Sequence, residues 1–519
     1  MPLPTRSPSH PPLGRVLMVQ GTSSHAGKST LVAALCRIFA QEGFRVAPFK
    51  SQNMSLNSAV TIDGAEIGRA QMLQAQAARV EARADMNPVL LKPQGDSTSQ
   101  VVVLGKVYAV QEIRNYYSSD VRQQLWPIIT GALDRLRAEH DIVVVEGAGS
   151  PAEINLRDRD LANMRVAKYA KAPVLLVGDI ERGGVFASLM GTMVLLDDEE
   201  RALVRGFVIN KFRGDASLIH PGPAMLEERT GVPTLGVLPY FTNVYLPEED
   251  SMGTTPDIDP GSKDYPQLEI AIPRFPHIAN SDDFDTLRRD PRIRVRIVST
   301  QQIGNPDLII LPGSKTTIAD LDWLRKTGLA AQILECHRQG TPIIGICGGF
   351  QMLGQMIHDP YSVESDIRSA PGLGILPIHT TFEKTKATHQ ARATVMASHG
   401  LLEGCGGLKI EGYEIHMGTT ATAHIEPALT VTERSGKPVA IADGATTPDG
   451  MVFGTYLHGL FHNDALRERI IQTLASRKGI AFPKEYPTYN VDDELDKLAE
   501  GVRAHLDIPQ ILRMVDIAS

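Results

Sequence analysis

Val16-Leu17-Met18-Val19-Gln20 runs without a break into Gly21-Thr22-Ser23-Ser24-His25-Ala26-Gly27-Lys28-Ser29-Thr30, and the helical spacing of Leu31, Ala34, Leu35 and Ile38 follows at once. A short apolar strand, a loop of glycine and small residues, a lysine, a hydroxyl and a helix are the parts of a phosphate-binding loop in working order. Small residues let backbone N–H groups turn inward on phosphate oxygens, Lys28 reaches the β- and γ-phosphates, and the Ser29 hydroxyl suits magnesium. Gly21, Gly27, Lys28, Ser29 and Thr30 are therefore the nucleotide-binding candidates. Five residues separate the two glycines where the usual pattern has four.

Outward from this loop, aliphatic runs at 16–20, 46–49, 142–146, 174–178 and 206–210 alternate with helical stretches up to about residue 240. That alternation predicts a mostly parallel sheet covered by helices on both faces. Residues 241–266 are acidic and rich in proline and glycine, as linkers are. A second alternating set follows at 268–272, 295–298, 308–311 and 343–346, then a strand-rich region over 374–441 and a run at 452–456. The expected organisation is α/β throughout: a tail over 1–14, a first domain over 15–245, a linker over 246–266, a second domain over 267–480 and a helical tail over 481–519. Both domains are predicted to have three layers.

Two strand ends carry further candidates in the first domain. Glu146 closes the run 142–146 before Gly147-Ala148-Gly149, where a second magnesium ligand belongs, although a strand-end glutamate can equally cap a helix or pair with a lysine. Lys50 follows the run 46–49 and places positive charge beside a transferring phosphoryl group, or else is a solvated surface lysine. In the second domain, Gly345-Ile346-Cys347-Gly348-Gly349-Phe350-Gln351 puts a cysteine on a sharp strand-to-helix turn. The flanking glycines tolerate strain, and the end of the following helix favours an anion. About a hundred residues on, His458 follows a β-prone run and precedes Gly459. A cysteine nucleophile needs such a base, which holds the thiolate and protonates the leaving amine.

Bulk composition narrows the function class. The chain has 519 residues, a 42% hydrophobic share, 22% charged residues and a formal net charge of −8. These values fit globular domains, and the negative charge without a basic block disfavours nucleic acid and leaves small molecules as the expected partners. No apolar run reaches the ~18 residues that span a bilayer, and the proline- and serine-rich start lacks a signal-peptide core. A cytoplasmic location without membrane insertion is expected. Cys36, Cys336, Cys347 and Cys405 show no paired spacing and predict neither disulfides nor a zinc site.

Longer motifs carry a resemblance. Pro48-Phe49-Lys50-Ser51-Gln52-Asn53-Met54-Ser55-Leu56-Asn57-Ser58, Glu66-Ile67-Gly68-Arg69-Ala70-Gln71 and Met86-Asn87-Pro88-Val89-Leu90-Leu91-Lys92-Pro93 lie in the first domain, as do the stretches 146–156 and 179–187. The second domain adds Leu311-Pro312-Gly313-Ser314-Lys315 and Gly412-Tyr413-Glu414-Ile415-His416-Met417-Gly418. Over residues 16–463 the chain resembles glutamine-dependent amidoligases, in which a P-loop synthetase of the dethiobiotin synthetase type is joined to a class I glutamine amidotransferase. The finer resemblance is to the cobyric acid synthase family of the cobalamin pathway.

That resemblance implies ATP- and glutamine-dependent amidation of the b, d, e and g carboxylates of adenosylcobyrinic acid a,c-diamide. ATP and Mg2+ are the implied cofactors, glutamine and a corrinoid the partners, and no protein-bound cobalt is expected because cobalt arrives with the substrate. Cys347 and His458 become the glutaminase pair, with the amides of Gly348 and of Gly313 or Ser314 on the oxyanion. Class I amidotransferases place a glutamate two residues after the histidine, where this chain has Leu460. A dyad is thus the expectation, with the third member open; Glu414 and His416 are candidates, or part of a paired strand. Asn210 corresponds to an adenine-recognition position. Gln52, Asn53, Ser55 and Asn57 are implied corrinoid contacts, and Asp179 and Arg182 are implied neighbours of the acyl phosphate or a plain ion pair. A related amidoligase acting on another carboxylate (cobyrinic acid a,c-diamide synthase, a CTP synthase-like enzyme or a cell-wall amidotransferase), or a switch ATPase with an inactive second domain, are the competing expectations.

Overall fold

The computed structural model describes residues 13–94, 98–112, 119–219, 221–247, 267–299, 302–422, 425–482 and 489–516. The expected tail over 1–14 and linker over 246–266 lie outside these residues, apart from 13–14 and 246–247.

Two six-stranded sheets organise the chain. In the first, all neighbours are parallel, in the order Thr234–Pro239, Val204–Phe212, Val174–Asp179, Arg15–Gly21, Ile142–Glu146 and Val46–Phe49. Its central strands are continuous aliphatic runs because helices cover both faces, so no polar alternation is needed. The second runs Ile293–Val298, Leu268–Pro273, Leu308–Leu311, Ile343–Ile346 and Val452–Thr455 in parallel, closed by the antiparallel pair Ala445–Thr446. The two α/β units with mostly parallel sheets are those the alternation predicts.

Three features add to the sequence reading. A largely antiparallel sheet of Gln52–Met54, Val89–Pro93, Thr98–Val103 and Lys106–Glu112 stands inside the first half, with a hairpin of Ser58–Val60 and Glu66–Gly68 beside it. Three of the motifs that carry the family resemblance, 48–58, 66–71 and 86–93, lie on or beside these strands, and this insert faces the second half. The final helices, Val491–Arg503 and Ile508–Met514, do not extend the second half. They return to the first, where Leu495, Leu498, Val502 and Ile511 share an apolar cluster with Leu31, Leu35 and Ile38 of the P-loop helix Lys28–Gln41. The third is the form taken by the expected strand-rich region over 374–441, a largely antiparallel sheet whose strand His379–Val395 pairs with Lys409–Ala421. Among the described residues no helix is long and apolar enough to cross a membrane.

The halves meet through polar contacts. Asn57 Nδ2 donates to Ser281 Oγ at 3.3 Å, the Ser281 amide donates back to Asn57 Oδ1 at 3.2 Å, and the Ser58 amide donates to Asn280 Oδ1. Glu66, buried in the insert, pairs with Lys92 of the same half at 2.7 Å and with Lys386 of the other.

Candidate active sites

Parallel strands deliver their C-terminal ends to one edge, and both sites form there. In the second sheet, Ile346 is in register with Thr455 and Leu311 with Gly345. Three adjacent strands therefore release Gly313-Ser314, Cys347 and His458 side by side. Cys347 sits at φ 53°, ψ −107°, a left-handed backbone that costs about 1–3 kcal/mol in a non-glycine residue. Its amide is held by the Thr455 carbonyl at 2.8 Å, and its Sγ lies 3.6 Å from the Ile415 carbonyl. A Cβ on Gly348 would lie 2.8 Å from the Ser314 amide nitrogen, and only glycine lets the nucleophile turn nest against the 313–314 loop. The Ser314 hydroxyl is spent on Asp320 at 2.6 Å.

His458 is 2% exposed. Its backbone exchanges two hydrogen bonds with Tyr413, whose ring stacks on the imidazole at 5.2 Å and 14°. Nδ1–H donates to Asp283 Oδ2 at 2.8 Å, while the Gly459 amide donates to Asp283 Oδ1. With Nδ1 occupied, Nε2 is the nitrogen for Cys347. Burial alone would depress the imidazole, but the Asp283 carboxylate and the neighbouring Cys347 sulfur outweigh it and push the ring up to about 10. The imidazole beside Cys347 is thus held in its charged form.

Asp283 is the carboxylate that the sequence reading left open. It sits 175 residues before His458, in the turn Asn280-Ser281-Asp282-Asp283 that follows the strand Leu268–Pro273. Acids in a turn past a strand end, at the ligand-binding edge, were the available signal. Glu414 is turned elsewhere. It takes a two-point ion pair from Arg434 at 2.6 Å, and despite burial this pairing and His416 hold its carboxyl down at about 2. His416 stacks on Tyr456 at 3.9 Å and lines the pocket beside Cys347. The remaining pocket wall carries Lys92, Lys315, Glu364 and Lys386, so one lysine comes from the first half.

In the first half, Val19 is in register with Glu146 and Phe49 with Val145. The Ser29 hydroxyl donates to Glu146 Oε1 at 2.8 Å, Lys50 Nζ reaches the same oxygen at 2.8 Å, and Gln74 Nε2 donates to Oε2 at 2.6 Å. One hydroxyl and one carboxylate oxygen side by side suit a hard cation that draws its other ligands from phosphate and water. Lys28 Nζ spans the loop, from the Ser23 carbonyl at 2.9 Å to that of Gly149 at 3.0 Å.

Residues 17–254 match the CobQ/CobB/MinD/ParA nucleotide binding domain, and residues 269–466 match the CobB/CobQ-like glutamine amidotransferase domain. Proteins named cobyric acid synthase from Dehalococcoides mccartyi strain CBDB1, Moorella thermoacetica and Sorangium cellulosum are 50%, 48% and 50% identical to this chain. The matches cover 97%, 97% and 96% of it, and 99%, 98% and 98% of those proteins. The chain belongs to the cobyric acid synthase family.

Within this cobyric acid synthase fold, the other sequence candidates are distributed unevenly. Asn57 is engaged in the contact between the halves, and Asn53 donates to Gln71 at 3.0 Å. Ser55 folds back on the Asn57 backbone, whereas Gln52 is half-buried. Asn210 Nδ2 donates to the Ala26 carbonyl at 2.9 Å, and a Cβ on Gly27, which holds φ +97°, would lie 2.0 Å from that nitrogen. Asn210 thus braces the P-loop from behind. Asp179 pairs with Lys211 at 2.9 Å, not with Arg182, and Lys211 also holds the His25 carbonyl. Arg182 is exposed beyond the same strand end.

Proposed function

We propose that this protein amidates the b, d, e and g carboxylates of adenosylcobyrinic acid a,c-diamide, using ATP and glutamine, to give adenosylcobyric acid. The observation that carries the reading is the pairing, in one chain, of a Cys347–His458–Asp283 constellation with a P-loop whose serine touches an acidic strand end. The names of relatives that align along nearly the whole chain support the substrate class.

In the second half, Cys347 thiolate attacks the glutamine amide carbon. The amides of Gly348 and of Gly313 or Ser314 receive the developing oxyanion, and His458 Nε2–H gives its proton to the departing ammonia. Asp283 keeps the ring in the tautomer and orientation that both steps need. Water then releases glutamate from the thioester. The lysines and Glu364 of the pocket complement the carboxylate and ammonium of an amino-acid head group.

In the first half, a corrinoid carboxylate attacks the γ-phosphate of ATP and ADP departs, leaving phosphate as the group that is lost in the next step. The acyl phosphate that forms has a good leaving group, which ammonia displaces. Lys28 and Lys50 stabilise charge on the transferring group. Ser29 and Glu146 would hold Mg2+, which when bound neutralises the phosphates.

Mass spectrometry of the corrinoid after incubation with ATP, magnesium and glutamine tests the reading. Four losses of ~1 Da are expected, one for each acid converted to an amide. Cys347→Ala should give them only when ammonia is supplied. ATP hydrolysis with an unchanged corrinoid mass would refute the substrate assignment.

A further inference from the structure

Arg69 opens the helix Arg69–Ala77 of the nucleotide-binding half, within a motif to which the chemistry above gives no role. Its guanidinium reaches into the amidotransferase half, where Nε lies 3.5 Å from Asp282 Oδ2, with both side chains largely buried. Asp282 also accepts the Tyr413 hydroxyl at 3.3 Å from each of its oxygens. Tyr413 in turn stacks on His458 and shares two backbone hydrogen bonds with it. The residue after Asp282 is the Asp283 that holds His458 Nδ1. The bond to Nδ1 comes from this acidic turn directly, and the ring stacked on the imidazole is tied to it through the Tyr413 hydroxyl.

That turn is crowded with like charge. Asp282, Asp283 and Asp285 fall within four residues, the first two buried and the third half-buried, so their mutual repulsion tends to open the turn. Burial and Asp282 push the Asp285 carboxyl up to about 7, against the pull of Arg69, Arg288 and Arg289. Arg69 reaches this turn from the other half, and it is anchored there: its amide is held by the Asn57 carbonyl at 3.2 Å, and Asn57 bonds Ser281 of the same turn. Farther along the helix, Gln74 bonds Glu146 beside the P-loop.

We propose that Arg69 is a positioning residue of the glutaminase site, supplied by the nucleotide-binding half, which holds the Asp282–Asp283 turn where Asp283 and Tyr413 fix His458 against Cys347. The proposal rests on the reading of Cys347 and His458 as a glutaminase pair. The amidotransferase half alone then has all its reacting groups but lacks the ion pair that sets their geometry.

The test uses the full chain and compares glutamine with ammonia as nitrogen source. In Arg69→Ala, the glutamine-dependent kcat is expected to fall about tenfold or more, with KM for glutamine and the ammonia-dependent rate within about twofold of wild type. The pH profile of Cys347 alkylation by iodoacetamide, followed by peptide mass spectrometry, should move to higher pH, because a poorly supported imidazolium no longer holds the thiolate. Arg69→Lys, which keeps the charge but loses the planar fork, should recover part of both losses. An unchanged ratio of glutamine to ammonia use with an unmoved alkylation profile would overturn the proposal. So would loss of both nitrogen sources together in Arg69→Ala and Arg69→Lys alike, which marks a general structural role. Failure of the wild type to amidate the corrinoid refutes the proposed function instead, independently of Arg69.

Discussion

At the scale of single residues, His458 carries the most consequence for the proposed glutaminase chemistry, in which it supplies the proton to the leaving amine. Asp283→Asn keeps the shape but removes the carboxylate, and glutamine-dependent amidation is expected to fall on the order of 100-fold while the ammonia-dependent reaction is retained. Steady-state rates with the two nitrogen sources check this. The sign of the pH effect on stability follows from the raised pKa. A histidine held near 10 in the folded chain and at the ordinary 6.5 when unfolded stabilises the fold fully below about pH 6.5 and loses that contribution as the pH climbs through about 10. Urea midpoints of wild type should therefore decline from about pH 7 to pH 10, more steeply than those of Asp283→Asn. In the other half, Glu146→Gln leaves Lys50 and Ser29 facing an amide instead of a carboxylate. Product formation should then fall with glutamine and ammonia alike, which separates an ATP-site lesion from a glutaminase lesion.

Among the elements, the P-loop is fixed as much by what lies behind it as by its own sequence. Gly27→Ala forces a side chain onto Asn210 and a left-handed backbone onto alanine. ATP binding, measured by equilibrium dialysis, is expected to weaken at least about tenfold, with glutaminase chemistry at Cys347 intact. The P-loop strand was legible because an aliphatic run ending in Gly21 and a lysine-bearing helix leave few alternatives. Cys347 and His458 were legible for a related reason, each following a strand whose run of apolar residues is buried on both faces. The sheet built from residues 52–112 escaped notice because Lys92, Ser99 and Gln100 are buried polar residues that break the two-residue alternation. Asp283 escaped because its partner is 175 residues away, and nothing local to either residue records the contact. Asn57 was read for its amide, which suits a ligand. The structure spends that amide on Ser281, a contact that depends on how the halves dock.

For the whole molecule, the docking of the halves and the return of the last helices are the organising facts. A chain ending at residue 489 would uncover the apolar flank of the P-loop helix, where Leu495, Leu498 and Val502 are buried. Differential scanning calorimetry should show the transition of the nucleotide-binding half moving down while that of the amidotransferase half stays in place. Leu498→Ala, a milder version, should cost about 2–5 kcal/mol in the same transition. The hydrogen bond between Gln41 and Asp496 joins residues 455 positions apart. A ribosome adding about 5–20 residues per second delivers those two partners roughly 20–90 s apart. Throughout that interval the P-loop helix is out of the exit tunnel with one apolar side bare, while the amidotransferase half emerges and can close on itself. The half that is translated first is therefore the last to be finished, and it is the half for which a holding chaperone has a binding surface.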